Sequence, residues 1–574
     1  MKRVLLMSAA VMCCSAAMAQ WVTDPELNTQ IIAGVQEVYS DEMDVAEDGT
    51  VFYNFNSPQN GNTNTYVQIV DKDGKELLGE TAKMISSERA RTWVAVNQLM
   101  LVDHEGNAII SVSDCRYAPV DADALSYTLY KVSPTGELLW GEDGINLENG
   151  QTNGMEAKMT MVQLEDGSYV CAWTVVEETQ WINMQRVSKD GQLMWDAPKQ
   201  LKSETTPYTY PYLVNAGDNQ FIMVYSQGTS QYLMAQKYDF DGEPVWAKAT
   251  PVYKGGFGSI PLWTFVTVIP DEEGGAFVGW YDDRYYTDYE DAYVSHILSD
   301  GSYGFVSGVD GTKLSQSEYT RSFGPKMAYD PVEQCLYTVH RELVGTSSFN
   351  KLVVQKLNRD GELLWGVDGS DLTELSDQTS VSYASIQVTG DGDAVAFWLM
   401  LDGVASNSAT YGYAARLDGT SPDAAKKWTT KFAAYPSNKV SLETSPLVSD
   451  GYFVTMFDDN RFTGSATYYG KFLQPIMLNG ELGTPTAIRS VQAGGNDLMQ
   501  ASVEAGQVRF ALNATGEAVL AVYAASGEEV ARPFQGNLSA EGGEVVWSTA
   551  GLPQGIYLAR LTTEAGTKTI KIIQ

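Results

Sequence analysis

Histidine is nearly missing from this chain: 574 residues hold three, His104, His296 and His340. None stands four residues from another or beside a cysteine pair, so a zinc site or a Ser-His-Asp triad has little material, and each histidine reads as an ordinary strand or turn residue. Cysteine is scarce as well. Of five, Cys13 and Cys14 lie in the apolar N-terminal stretch, leaving Cys115, Cys171 and Cys335. An odd number spread over different repeats excludes a disulfide framework. Positive charge is short: 38 Lys and Arg face 72 Asp and Glu, a formal charge of -34. Such a chain repels phosphate backbones and anionic lipid, which excludes nucleic acid as a partner. The acidic surplus keeps a surface soluble, with divalent-cation binding as its other use. Finally, no stretch after Gln20 approaches the roughly eighteen apolar residues of a membrane span, so no transmembrane segment is expected.

The N-terminus opens on Met1-Lys2-Arg3, continues with an apolar run from Val4 to Cys14, and reaches Ala17-Met18-Ala19. This pattern predicts a signal peptide over 1–19, with the mature chain starting at Gln20, and hence an extracellular or outer-membrane-surface protein. Met12 and Cys13 stand where a lipobox needs a small residue, so a lipid anchor is not expected here.

What the chain has in abundance is repetition, at a period of about 57 residues. One segment recurs eight times: Val67-Gln68-Ile69 to Gly74, Tyr130-Lys131-Val132 to Gly136 with Trp140, Gln185-Arg186-Val187 to Gly191 with Trp195, Gln236-Lys237-Tyr238 to Gly242 with Trp246, His296-Ile297-Leu298 to Gly301, Gln355-Lys356-Leu357 to Gly361 with Trp365, Ala415-Arg416-Leu417 to Gly419, and Lys471-Phe472-Leu473 to Gly480. Apolar and polar residues alternate, then break at an Asp-Gly, Thr-Gly or Asn-Gly pair, which predicts a half-buried hairpin. The Trp four residues beyond the glycine is expected on the outer strand, wedged between neighbouring sheets. A second hairpin precedes the first, as at Asp48-Gly49 before Val51-Phe52-Tyr53. Two hairpins per unit predict four-stranded blades, and closing them radially protects their edges. The expected fold is all-β: an eight-bladed β-propeller over 20–483. An open β-solenoid is the rival, although its coils are usually shorter.

The hairpin Thr135-Gly136-Glu137-Leu138-Leu139-Trp140 resembles the repeat of the pyrroloquinoline-quinone-type propellers. This resemblance implies blade packing, whereas the quinone pocket's adjacent cysteines have no counterpart in the mature chain. Ser188-Lys189-Asp190-Gly191 with Trp195 is similar to the sialidase Asp-box, but its glycine directly follows the aspartate, and sialidase chemistry is not expected.

After Gly483 the repeat stops, with a small, polar linker over 484–497. Runs at Gln507 to Leu512, Ala518 to Tyr523, Gly543 to Trp547, Gly555 to Leu561 and Thr567 to Ile573 predict a small Ig-like β-sandwich over 498–574. Val522-Tyr523-Ala524-Ala525-Ser526-Gly527, Leu552-Pro553-Gln554-Gly555-Ile556-Tyr557-Leu558 and Lys568-Thr569-Ile570-Lys571 resemble the type A sorting domain of the Bacteroidetes type IX secretion system. The resemblance implies that the type IX machinery is a partner, that the sorting signal includes Gly555, Tyr557, Lys568 and Lys571, and that the domain is removed on release or surface attachment. The usual Pro-Asn-Pro entry motif is absent.

Long loops between second and third strands, expected over Asn54–Asn64, Asp114–Ser126, Asp282–Asp291, Glu342–Asn350 and Asp458–Ala466, should share the rim that carries the blade-to-blade connections. Three open alike, and they supply the ligand candidates Arg116, Asp282, Asp283, Arg284, Asp458, Asp459 and Arg461. An Arg fork beside carboxylates suits a sugar or an anion, while the same residues at a recurring position also form structural salt bridges. Tyr285, Tyr286 and Tyr289 add stacking surfaces. The Asp-x-Asp-Gly turns resemble calcium loops only in part, because glycine stands fourth, so no cofactor is expected and calcium is the one metal to test. The expected function is a non-catalytic glycan- or extracellular-protein-binding module. The alternatives are a lyase or glycosidase with carboxylates at the channel mouth, and a structural envelope component.

Overall fold

The computed structural model describes the chain except for residues 1–20, 36, 91–98, 120–123, 151–154, 230–231, 254–265, 285–289, 318–319, 345–348, 377–378, 403–408, 463–468, 485–498, 505–506, 525–528, 540–542, 550–551, 553–555, 564–565 and 574. The expected signal peptide, the linker, Tyr285, Tyr286, Tyr289 and Gly555 therefore lie outside the described residues. The chain divides into two units after Gly483. No helix among the described residues is long and apolar enough to cross a membrane.

The first unit is all-β and consistent with a β-propeller. Seven antiparallel four-stranded sheets follow in chain order over 39–86, 99–146, 155–201, 208–253, 267–313, 320–371 and 379–437. The eighth combines Lys439–Thr444, Tyr452–Asp459 and Gly470–Met477 with Thr29–Ile31 as its fourth strand. Gln30 pairs with Phe472 in that sheet, so the chain's first described strand completes its last repeat. Alternating apolar residues on both faces of each sheet build a separate buried core against each neighbour. Phe52 and Ile110 join the first sheet to the second, Val395 and Phe453 the seventh to the eighth. Tyr53 and Val454 share a further core, which joins the eighth back to the first. The first strands meet one another around the inside of this ring, where their edge N–H groups need partners. Side chains of a neighbouring sheet supply them: Glu443 accepts from Met43 N at 2.7 Å, Asp44 from Val102 N at 2.7 Å, and Thr160 Oγ1 from Leu213 N at 3.2 Å.

The expected hairpins are seen as single antiparallel bridges across the glycine turn, Val132 to Leu138 and Leu357 to Leu363 among them. The recurrent Trp departs from expectation, because it follows that bridge and precedes the fourth strand, which begins only at Ile145 in the second sheet. From there it reaches the next sheet. Trp21, Trp140, Trp246, Trp365 and Trp428 donate Nε1–H to carbonyls of the following sheet's turn, at Lys72, Lys189, Ser299, Ser421 and Leu478. The turn glycine has to be glycine: at Gly191, φ is +81° and a Cβ would stand 2.9 Å from the Trp140 ring.

The loop expected over Asn54–Asn64 is not a loop. Strands Val51–Gln59 and Asn62–Val70 run through it to a tight turn at Asn60-Gly61, whose φ values of 54° and 80° suit that pair. The Asp-x-Asp-Gly turns are capped internally, with Asp71 Oδ1 accepting from Asp73 N and Lys75 N at 3.0 and 2.9 Å. Among the described residues, no group of three or more His, Cys, Asp or Glu side chains could hold a metal ion. Cys115, Cys171 and Cys335 are buried and not joined in disulfides.

The second unit holds a three-stranded sheet, Met499–Glu504, Gln507–Leu512 and Gly543–Ser548, and a four-stranded sheet, Glu529–Leu538, Gly516–Ala524, Ile556–Thr563 and Gly566–Ile573. The two share one apolar core that includes Phe510, Leu520, Trp547 and Tyr557.

Candidate functional site

The three Arg forks close on their own sheets. In each, an aspartate ends the second strand and caps the turn after it, as where Asp459 Oδ1 accepts from Arg461 N at 2.8 Å. The guanidinium then folds back: Arg116 reaches Asp114 at 2.7 Å, Arg284 reaches Asp282 at 2.6 Å, and Arg461 reaches Asp459 at 2.7 Å. Its remaining donors take a carbonyl just before the fourth strand, at Asp143, Asp310, and Glu26 with Leu27. Arg284 also lies 3.8 Å over the Tyr293 ring and Arg461 4.2 Å over Phe472. The geometry joins each Arg to its own blade and leaves few donors for a ligand. Asp283 is half-buried beside its fork. Asp458 faces elsewhere, toward Lys471 at 2.7 Å. His296 pairs with buried Asp271 at 2.9 Å, and His340 lies 3.4 Å from Glu342.

The chemistry that the sequence did not single out lies on the inner wall. Six of the inner strands carry bulges, and Ser40, Lys158, Tyr210 and Ser441 adopt positive φ there although none is glycine. Bulging turns charged side chains toward the centre. Asp41 and Asp458 share the Lys471 ammonium, each at 2.7 Å, and Tyr53 Oη donates to Asp41 at 3.0 Å. Beside them stand Glu42, Glu443 and Asp44, while Lys158 and Lys326 are exposed on the same wall. Burial pushes the Glu42 carboxyl up to about 7, against one backbone N–H that lowers it, with Asp44 and Asp41 adding to the rise. Glu443 is pushed well up by burial, then by Glu42 and Asp41. Asp458 rises to about 6 for the same leading reason, opposed by Lys471. Although both side chains keep open surface, the protein crowded around them strips water from their ammonium groups and lowers Lys158, which Glu42 partly restores, and lowers Lys326, with Lys158 nearby adding to it. Asn54 lies across from Glu42 in register, fully buried, with neither amide atom hydrogen-bonded. These groups can exchange protons near neutrality and can donate to or accept from hydroxyls. A sequence signal existed in the run Asp41-Glu42-Met43-Asp44, placed one strand before a hairpin turn.

A pH test follows. Raised folded-state pKa values mean stability that is full below the unfolded range and is lost as pH climbs through about 6 to 7. The melting temperature should therefore fall from pH 5 to pH 8, and Glu42→Gln should recover about 1–3 kcal/mol at pH 8 while changing little at pH 5. A variant with the wild-type slope would refute this reading of the wall.

No protein-family model matches the chain, nor does any curated protein sequence. Solved structures similar to it include a polysaccharide lyase, an ulvan lyase, at TM-score 0.39 and 10% identity, covering 79% of this chain and 98% of that one. PorZ, a surface component of the type-IX secretion system of Porphyromonas gingivalis, is similar at TM-score 0.33 and 12% identity, covering 93% and 70%. The β-propeller domain of the Trilobed protease from Pyrococcus furiosus gives 0.36 and 8%, covering 69% and 98%.

Proposed function

We propose that this chain is an exported β-propeller of eight blades that binds a glycan or an extracellular protein at its central channel, followed by an Ig-like sandwich that serves as a type IX sorting domain. The observation that carries the binding reading is the inner wall, where Glu42, Glu443, Lys158 and Lys326 stand on bulged strands. The rim forks at Arg116, Arg284 and Arg461 serve the frame, with Asp282, Asp283 and Asp459 beside them. Asp458 belongs with the wall through Lys471. Tyr285, Tyr286 and Tyr289 follow Arg284 in sequence and are part of the same proposal. The type IX reading rests on the sequence pattern around Gly555, Tyr557, Lys568 and Lys571, and it places the protein outside the cell or on the outer membrane. No cofactor is part of the proposal.

The test is a glycan and extracellular-protein array probed with the full mature chain and with the double variant Lys158→Gln, Lys326→Gln. Captured ligand that the variant loses supports the reading, and capture indifferent to it moves the site elsewhere. A second reading, a polysaccharide-acting enzyme, is favoured by one feature: two neighbouring carboxyls, Glu42 and Glu443, both held above their ordinary range. Cleavage of a polysaccharide that vanishes in Glu443→Gln would put this reading first.

A further inference from the structure

Away from the central channel, a cavity of about 610 Å³ opens beside the seam where the N-terminal strand closes the ring. The connector after Thr29–Ile31 forms one side. It is held down by Gly34 N donating to Glu80 O at 3.1 Å, a close approach in which any Cβ on Gly34 would meet Thr81 at 3.0 Å. The first sheet forms the rest. Phe55 and Tyr66 lie nearly parallel on neighbouring strands, ring centres 5.4 Å apart and planes 11° apart, and Met84 adds an exposed apolar side chain. Polar groups ring this apolar floor. Gln59 accepts from Tyr66 Oη at 3.1 Å and from Asn64 Nδ2 at 3.2 Å through its carbonyl oxygen, which fixes the side chain and turns its NH₂ away from those partners. Ser57 and Glu37 complete the ring, with Glu37 also accepting from Tyr39 Oη at 3.2 Å.

The ligand class follows from this lining. Its volume falls in the roughly 300–1,000 Å³ range of small-ligand pockets. Among the described residues no Lys, Arg or His lines it, and a carboxylate stands at its edge on a chain of charge -34, so an anion is disfavoured. A purely apolar ligand would leave the Gln59 amide N–H and the Ser57 hydroxyl without partners. A neutral sugar presents a C–H face to an aromatic and thioether floor, and hydroxyls to amide, hydroxyl and carboxylate. We propose that this cavity binds a neutral saccharide unit, as a subsite separate from the channel; the idea rests on the glycan form of the function proposed above.

Cellobiose, lactose and diacetylchitobiose, with digalacturonic acid as the anionic comparator, should be titrated into the full mature chain and followed by calorimetry and saturation-transfer NMR. At least one neutral disaccharide should bind and the digalacturonate should not. Gln59→Ala should weaken that binding about tenfold. Met84→Trp, which fills the cavity from an exposed position, should abolish it, both variants keeping the wild-type melting temperature. In the channel variant Glu443→Gln, the part of the binding that Gln59→Ala and Met84→Trp remove should persist. Binding that survives both pocket substitutions but is lost in Glu443→Gln overturns the subsite and leaves the channel reading intact. No binding of any neutral disaccharide, or equal binding of digalacturonate, also overturns the subsite, while the array decides the channel reading.

Discussion

Replacing Asp459 by alanine is expected to destabilise the first unit by about 3–5 kcal/mol, because it strands two buried cations at once. Asp459 is fully buried and holds Lys439 Nζ at 3.2 Å and Arg461 Nη2 at 2.7 Å, both of them buried. Burial already pushes Lys439 down to about 8, and Asp459 is the first group opposing that shift. Without the carboxylate, Lys439 gives up its proton or its place. Arg461 has a further duty that the equivalent arginines lack, because the carbonyls it holds, Glu26 and Leu27, lie in the turn that leads into the strand closing the ring. Asp459→Ala should therefore expose the segment around residues 21–38 to protease as well as lower the denaturation midpoint. Asp114→Ala, which breaks the equivalent fork inside a sheet built from consecutive strands, should lower the midpoint without opening the N-terminus. Equal N-terminal protection in both variants would show that the fork is not the latch.

The second large effect is expected at Trp365. Its side chain is 2% exposed, packs 5.5 Å from the Tyr337 ring, and donates Nε1–H to Ser421 O at 2.9 Å in the following sheet. Trp365→Ala removes apolar contact and leaves a cavity between two sheets, at about 3–5 kcal/mol. Trp140 makes the equivalent bond to Lys189 O but is only half-buried, so its alanine variant should cost clearly less. Chemical denaturation of both variants provides the check. Equal losses would mean that the Nε1 bond, rather than burial between sheets, sets the energy.

The channel wall was hard to read in the sequence for a physical reason. A bulge at Ser40 or Lys158 inserts one residue and breaks the period of two, so residues that belong on the inner face drop out of the expected alternation. Asn54 reads as loop in the sequence yet sits in the middle of a strand, because Pro58 and the run of asparagines around it carry turn composition while the turn itself is only Asn60-Gly61. In the second unit, strands Met499–Glu504 and Glu529–Leu538 escaped notice, the latter because a proline and alternating charges blur its pattern. The Arg forks were visible as a recurring motif, but nothing local says whether a guanidinium folds back onto its own aspartate or faces outward. That choice depends on a carbonyl some 26 or more residues away in sequence.

By itself the sequence determined the all-β character and the two-hairpin unit, because alternation and Asn-Gly or Asp-Gly turns act over a few residues and need no distant partner. Only the tertiary structure decided that Thr29–Ile31 completes the last sheet, that Trp21, Trp140, Trp195, Trp246 and Trp428 rest on the next sheet's turn glycine, and that carboxylates from separate repeats crowd one inner wall. Those outcomes join residues 400 or more positions apart, as Met43 and Glu443 or Gln30 and Phe472 are, and they arise only when the row of sheets closes on itself.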